Sequence, residues 1–191
     1  MIQGPAVADI AVIGADGQGL KILTDGKANR AFPSWSPDGR QLVYRSSDGK
    51  TGGMFILDHE TGKSKELKTG TTTANFPAWS PTGDLIAFTS YLDGDYEICT
   101  IKADGTGFKQ LTNSPGSDAH CTWSPDGKWI AFSSGRGGFK DEAALHPYNG
   151  QPYGQIHVMR ADGSDVRQLT DDPFEHGTVA FVPLSKAKSG R

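Results

Sequence analysis

Cysteine is nearly absent from this chain. Its 191 residues include two, Cys99 and Cys121, which form no CxxC pair and are too few to staple a chain of this length, so the fold must rest on packing. Glutamate is scarce as well, with 5 Glu against 17 Asp. Aspartate favours turns and caps whereas glutamate favours helices, so this imbalance argues against a helical bundle. No apolar run approaches the roughly 18 residues of a membrane-spanning helix. The opening MIQGPAVADI lacks the basic-then-apolar plan of an export signal. Membrane insertion is therefore not expected, and the compartment is unknown from these residues alone. Neither charge dominates: 19 Lys and Arg stand against 22 Asp and Glu, a net −3. Without a basic run to neutralise phosphates, nucleic acid is excluded as a partner.

What the chain has in abundance is turn-forming residues, with 25 Gly and 11 Pro, and these recur at a fixed period. FPSWSPDGRQLVYRSS starts at Phe32, FPAWSPTGDLIAFTS at Phe76 and HCTWSPDGKWIAFSS at His120, so Trp35, Trp79 and Trp123 are spaced by 44 and 44 residues. A degenerate fourth copy, TVAFVP, puts Phe181 at the tryptophan position. A second marker repeats in step: IAVIGADGQGLKILT from Ile10, ICTIKADGTGFKQLT from Ile98 and IHVMRADGSDVRQLT from Ile156. Both markers lengthen from 44 to 58 across the third unit, which locates one 14-residue insertion between Ser134 and Gln155.

Each unit reads as four short strands separated by turns, the plan of a propeller blade. Strand a ends in Trp-Ser and is followed by Ser-Pro-Asp-Gly, which suits a type I turn. Strand b carries three consecutive apolar residues, as in Ile86-Ala87-Phe88, and therefore expects cover on both faces. Strand c precedes Ala-Asp-Gly, and strand d ends at Leu-Thr. The repeated tryptophans are expected to pack between blades. The reading is all-β, a β-propeller of four-stranded antiparallel blades, with three complete blades and a partial closing one. It takes 1–183 as a single propeller domain or arc, with blades at 31–69, 75–112 and 120–170, a partial blade from 8–24 plus 178–182, and a disordered tail at 184–191. That gives 15 strands, one short of a closed four-bladed ring.

These motifs resemble the TolB-type, WD40-like propeller repeat, whose hallmark is WSPDG, an apolar strand, then ADG and LT. The resemblance runs from about Asp9 to Pro183. It implies a ring of six or more blades, of which this chain would be a C-terminal portion; the alternative is a small four-bladed ring with a three-stranded closing blade. An incomplete ring would expose a strand edge and tend to self-associate. It also implies a periplasmic or secreted setting and a role in binding a protein partner.

Alternating turns put the tight Ser-Pro-Asp-Gly and Asp-Gly turns on one face and the b-to-c and d-to-a loops on the other. Binding residues concentrate on irregular loops of a rigid scaffold. The insertion falls in a b-to-c loop and offers Lys140, Asp141, Glu142, His146, Tyr148, Asn149 and Tyr153. His120 and His176 are expected in d-to-a loops of the same face, and Asp95 in a b-to-c loop. Such an acidic, histidine-bearing rim could hold a divalent cation such as calcium, but no HxH or HExxH spacing occurs, so no metal or other cofactor is assigned. His157 is expected as a packing residue within strand c and His59 as a solvated one beside a turn.

No GxSxG nucleophile elbow accompanies the repeats, so no catalytic residue is assigned. The expected function is a non-catalytic scaffold binding a protein or other macromolecular partner through its loop face. The alternatives are a propeller enzyme acting on an acidic polysaccharide by lyase-like chemistry, or the gating propeller of a prolyl-oligopeptidase-like hydrolase.

Overall fold

A computed structural model describes residues 7–49, 52–136, 154–172 and 176–182. Among these residues there is no helix. Fourteen strands form one two-stranded and three four-stranded antiparallel sheets. The leading half-blade pairs β1 (Ala11–Val12) with β2 (Lys21–Ile22). Blade 1 contains β3 (Asn29–Trp35), β4 (Gln41–Ser47), β5 (Gly52–Asp58) and β6 (Ser64–Leu67). Blade 2 contains β7 (Asn75–Trp79), β8 (Ile86–Leu92), β9 (Asp95–Ile101) and β10 (Lys109–Gln110). Blade 3 contains β11 (Asp118–Trp123), β12 (Trp129–Ser134), β13 (Gln155–Arg160) and β14 (Arg167–Gln168). In each blade the sequence order is the spatial order. The three four-stranded sheets are blades of a β-propeller.

The turns form for the reasons the motif suggests. In Ser36-Pro37-Asp38-Gly39 the Gly39 N–H donates to the Ser36 carbonyl at 2.9 Å, and Gly39 adopts φ +70°, which glycine takes without a Cβ clash. Asp38 Oδ1 accepts from the Ser36 hydroxyl at 2.6 Å and from the Arg40 N–H at 3.0 Å. Asp126 repeats both bonds in blade 3. In blade 2 Thr82 replaces the aspartate, and its hydroxyl bridges Ser80 and Asp84.

The three-residue apolar runs of strand b are covered on both faces. Leu42 and Tyr44 pack with Ile10 and Leu23 of the half-blade, while Val43 packs with Trp79, Ile86 and Phe88 of blade 2. Ala87 in turn packs with Trp123, Ile130 and Phe132 of blade 3. These three layers carry the fold, each fully buried large side chain contributing about 1.5–3 kcal/mol.

Two expectations about aromatic and histidine burial need correction. Trp79 and Trp123 are each 8% exposed, but Trp35 is 42% exposed, because it faces the half-blade, where β1 and β2 are too small to cover it. His59, expected in solvent, packs edge-on against Trp35 with ring centroids 5.4 Å apart. The half-blade also leaves Ile13, Leu20 and Ile22 exposed. Residues 177–182, which hold the TVAFV copy, have no strand partner among the described residues. The 184–191 tail lies outside the described residues.

Candidate functional site

The end of the molecule opposite the tight turns is organised by one repeated arrangement. Near the start of strand c a polar residue accepts a hydrogen bond from the Leu-Thr threonine that ends strand d, fifteen positions on. Thr24 donates to Asp9 at 2.5 Å, Thr112 to Glu97 at 2.6 Å and Thr170 to Gln155 at 2.7 Å. The same hydroxyls accept the N–H of Ile10, Ile98 and Ile156 at 2.9–3.0 Å. Each threonine thus closes the bottom of its c–d pair where the two-residue d strand runs out. This bracket was legible as a polar residue fifteen positions before each LT, a spacing the period alone does not draw attention to.

The first residues of the next strand a complete each junction, and their charges differ. Arg30 reaches Asp9 at 3.3 Å and Asp25 at 2.7 Å. Asp118, fully buried, occupies the same repeat position and takes a 2.7 Å ion pair from Arg136. Its Oδ1 has no hydrogen-bond partner among the described residues. Glu97 sits nearby, and burial pushes its carboxyl above the usual range. The Thr112 hydroxyl opposes that shift, and the negative charge of Asp118 adds to it. His176 holds the position at the last junction, where its N–H donates to the Gly154 carbonyl at 2.7 Å and its Nε2 lies 3.0 Å from Asp172 Oδ1.

The expected rim residues are distributed differently from the sequence reading. His120 lies inside β11, in the innermost strand of its blade. It adopts φ +55° at the bulge that separates the Ala119 and Thr122 pairings. Phe32 and Phe76, one and two periods earlier, have φ +57° and +50° at the same bulge. The three rings form a ladder, Phe32 to Phe76 at 4.5 Å and Phe76 to His120 at 4.0 Å. Asp95 is the first residue of β9 and accepts the Gly116 N–H at 3.4 Å. The loop before it is a two-residue turn, Asp93-Gly94, in which both residues have positive φ as a type I′ hairpin requires. His157 packs, as expected, beside Phe132, with Nδ1 3.1 Å from the Gln155 carbonyl. Lys140, Asp141, Glu142, His146, Tyr148, Asn149 and Tyr153 lie outside the described residues. Among the described residues no three His, Cys, Asp or Glu side chains converge in a way that could hold a metal ion. Cys99 and Cys121 are free and buried, and burial pushes both thiols up to about 12. No helix among the described residues is long and apolar enough to cross a membrane.

The family model described as the TolB beta propeller domain matches residues 3–172. Among solved structures, TolB from Acinetobacter baumannii is 26% identical with a TM-score of 0.66, over 84% of this chain and 37% of that one. A putative TolB from Agrobacterium tumefaciens is 23% identical with a TM-score of 0.70, over 87% of this chain and 56% of that one. An oligogalacturonate lyase in complex with manganese is 16% identical with a TM-score of 0.59, over 85% of this chain and 47% of that one. At such identity the last two show likeness of fold alone. The chain spans between about a third and just over half the length of the two TolB chains.

Proposed function

The chain belongs to the TolB beta propeller domain family, and from that membership we propose that it is a non-catalytic scaffold which binds a protein partner through its loop face. The observation that carries this reading is the asymmetry between the two faces. One face repeats Ser36-Pro37-Asp38-Gly39, Ser80-Pro81-Thr82-Gly83 and Ser124-Pro125-Asp126-Gly127 with nearly the same hydrogen bonds. The other changes from blade to blade, from the two-residue Asp93-Gly94 turn to the 14-residue insertion. Selection for stability alone asks every blade for the same short turn, whereas recognition asks for difference. The insertion residues from Lys140 to Tyr153, together with His176 and Asp95, are the proposed contact set. No metal or other cofactor is invoked, and the proposed setting is periplasmic or secreted.

Deleting residues 138–153 tests the reading. The deletion should leave the melting transition in place while abolishing capture of the partner from a periplasmic extract. Retention of every captured partner would overturn it. Assaying the intact chain on uronic-acid polymers tests the lyase alternative, and this reading expects no unsaturated product.

A further inference from the structure

One repeat position at the entry to strand a is large and polar at three junctions: Arg30, Asp118 and His176. At the fourth, between blades 1 and 2, the same repeat position is Ala74, and the facing start of strand c is Gly52, where blade 2 has Tyr96. The threonine of the c–d bracket is replaced there by Lys68. With these side chains missing the junction does not close, and a cleft of about 440 Å³ opens on the loop face. Arg45 and Ser47 of β4, Gly52 of β5 and Thr72 to Asn75 line it.

Among the described residues the lining has one charge. Arg45 replaces the Thr89 and Ser133 of the later blades. Its guanidinium makes one hydrogen bond among the described residues, Nη1 to Asn29 Oδ1 at 3.3 Å. That leaves the rest of a planar donor fork for a ligand, and a fork of this kind matches a carboxylate. Asp48 and Glu66 line a separate, smaller cleft of about 230 Å³ beside it. The Thr72 and Thr73 hydroxyls and the Asn75 amide add neutral donors. Among the described residues no aromatic ring lines the larger cleft to stack on a sugar. Its size lies in the range of small-ligand sites.

We propose that this cleft is a recognition site for a carboxylate of a peptide ligand, anchored by Arg45. The peptide class rests on the scaffold reading above, while the position rests on the cleft itself. The protein, labelled with ¹⁵N, is titrated with three small probes. These are N-acetyl-glutamate amide for a side-chain carboxylate, acetyl-glycyl-glycine for a chain terminus, and N-acetyl-glutamine amide as the neutral control. Saturable shifts at Ser47, Gly52 and Thr72 to Asn75 are expected with one or both acids and not with the control, and whichever acid binds identifies the source. Arg45→Gln should weaken that binding at least tenfold. Gly52→Tyr, which puts back the residue blade 2 carries, should abolish it. Gly52 tolerates the change, since an added Cβ meets only ordinary contacts at 3.5 Å. Equal shifts with the control, no saturation with either acid, or unchanged binding in a folded Arg45→Gln or Gly52→Tyr variant would overturn the proposal. Because the probes need no partner, this result stands or falls separately from the loop-deletion result.

Discussion

The Thr112 hydroxyl donates to Glu97 at 2.6 Å and accepts the Ile98 N–H at 2.9 Å in a buried setting. One side chain therefore satisfies a carboxylate and a backbone donor at once. Thr112→Val preserves the shape and removes both bonds, leaving two buried polar groups unmet at about 1–3 kcal/mol each. Urea denaturation should show a loss of about 2–6 kcal/mol by that principle. Thr24→Val, in the more exposed copy of the bracket, should lose less. Equal losses would contradict this assignment of the bond energies to burial.

Glu97 gives the protein a pH signature. Its carboxyl is raised by burial, so the folded state favours the protonated form. The stability this contributes is present below the unfolded carboxyl value, about 4.3, and is lost as pH rises through the higher folded value. Glu97→Gln retains the acceptor, as Gln155 does for Thr170, without the charge. The variant should gain stability over the parent as pH rises from about 4 and hold that gain at neutral pH. A pH-independent difference between the two melting curves would show that burial does not raise the Glu97 carboxyl.

The tryptophans separate by burial. Trp79→Ala removes a side chain only 8% exposed between blades 1 and 2, and large-to-small changes of this kind cost about 3–5 kcal/mol. Trp35→Ala, at 42% exposure, should cost less than half as much. Denaturant midpoints of the two variants measure the difference.

Burial that raises both thiols to about 12 also protects them. Cys99 and Cys121 should resist a maleimide or disulfide reagent at pH 8 while the protein is folded, and both should label in denaturant. Rapid labelling of the native protein would mean that the apolar packing around Phe88, Phe132 and the two cysteines opens far more readily than its burial indicates.

Most of the fold was legible because it repeats. A turn that recurs at 44 residues with Pro and Gly in fixed places states its own geometry, and three apolar residues in a row state two covered faces. The misplacements arose where a residue's setting depends on a neighbour outside its own repeat. His120 was expected in a loop because histidine is no strand signal, yet it sits at the same positive-φ bulge as Phe32 and Phe76. Trp35 was expected to be buried like Trp79 and Trp123, but its burial depends on the half-blade in front of it. The Arg45 cleft was hidden for a related reason. It is made by what Ala74 and Gly52 lack, and small residues carry no signal until the other copies are laid beside them.

Asymmetry between the two faces is the central claim, and site-directed photocrosslinking measures it directly. A benzophenone side chain is placed in turn at Asp93 and Ser47 on the loop face, and at Asp38 and Asp126 on the tight-turn face. The scaffold account predicts one partner protein crosslinked from the loop-face positions and absent from the turn-face positions. Crosslinks of equal yield from both faces, or from the turn face alone, would contradict it.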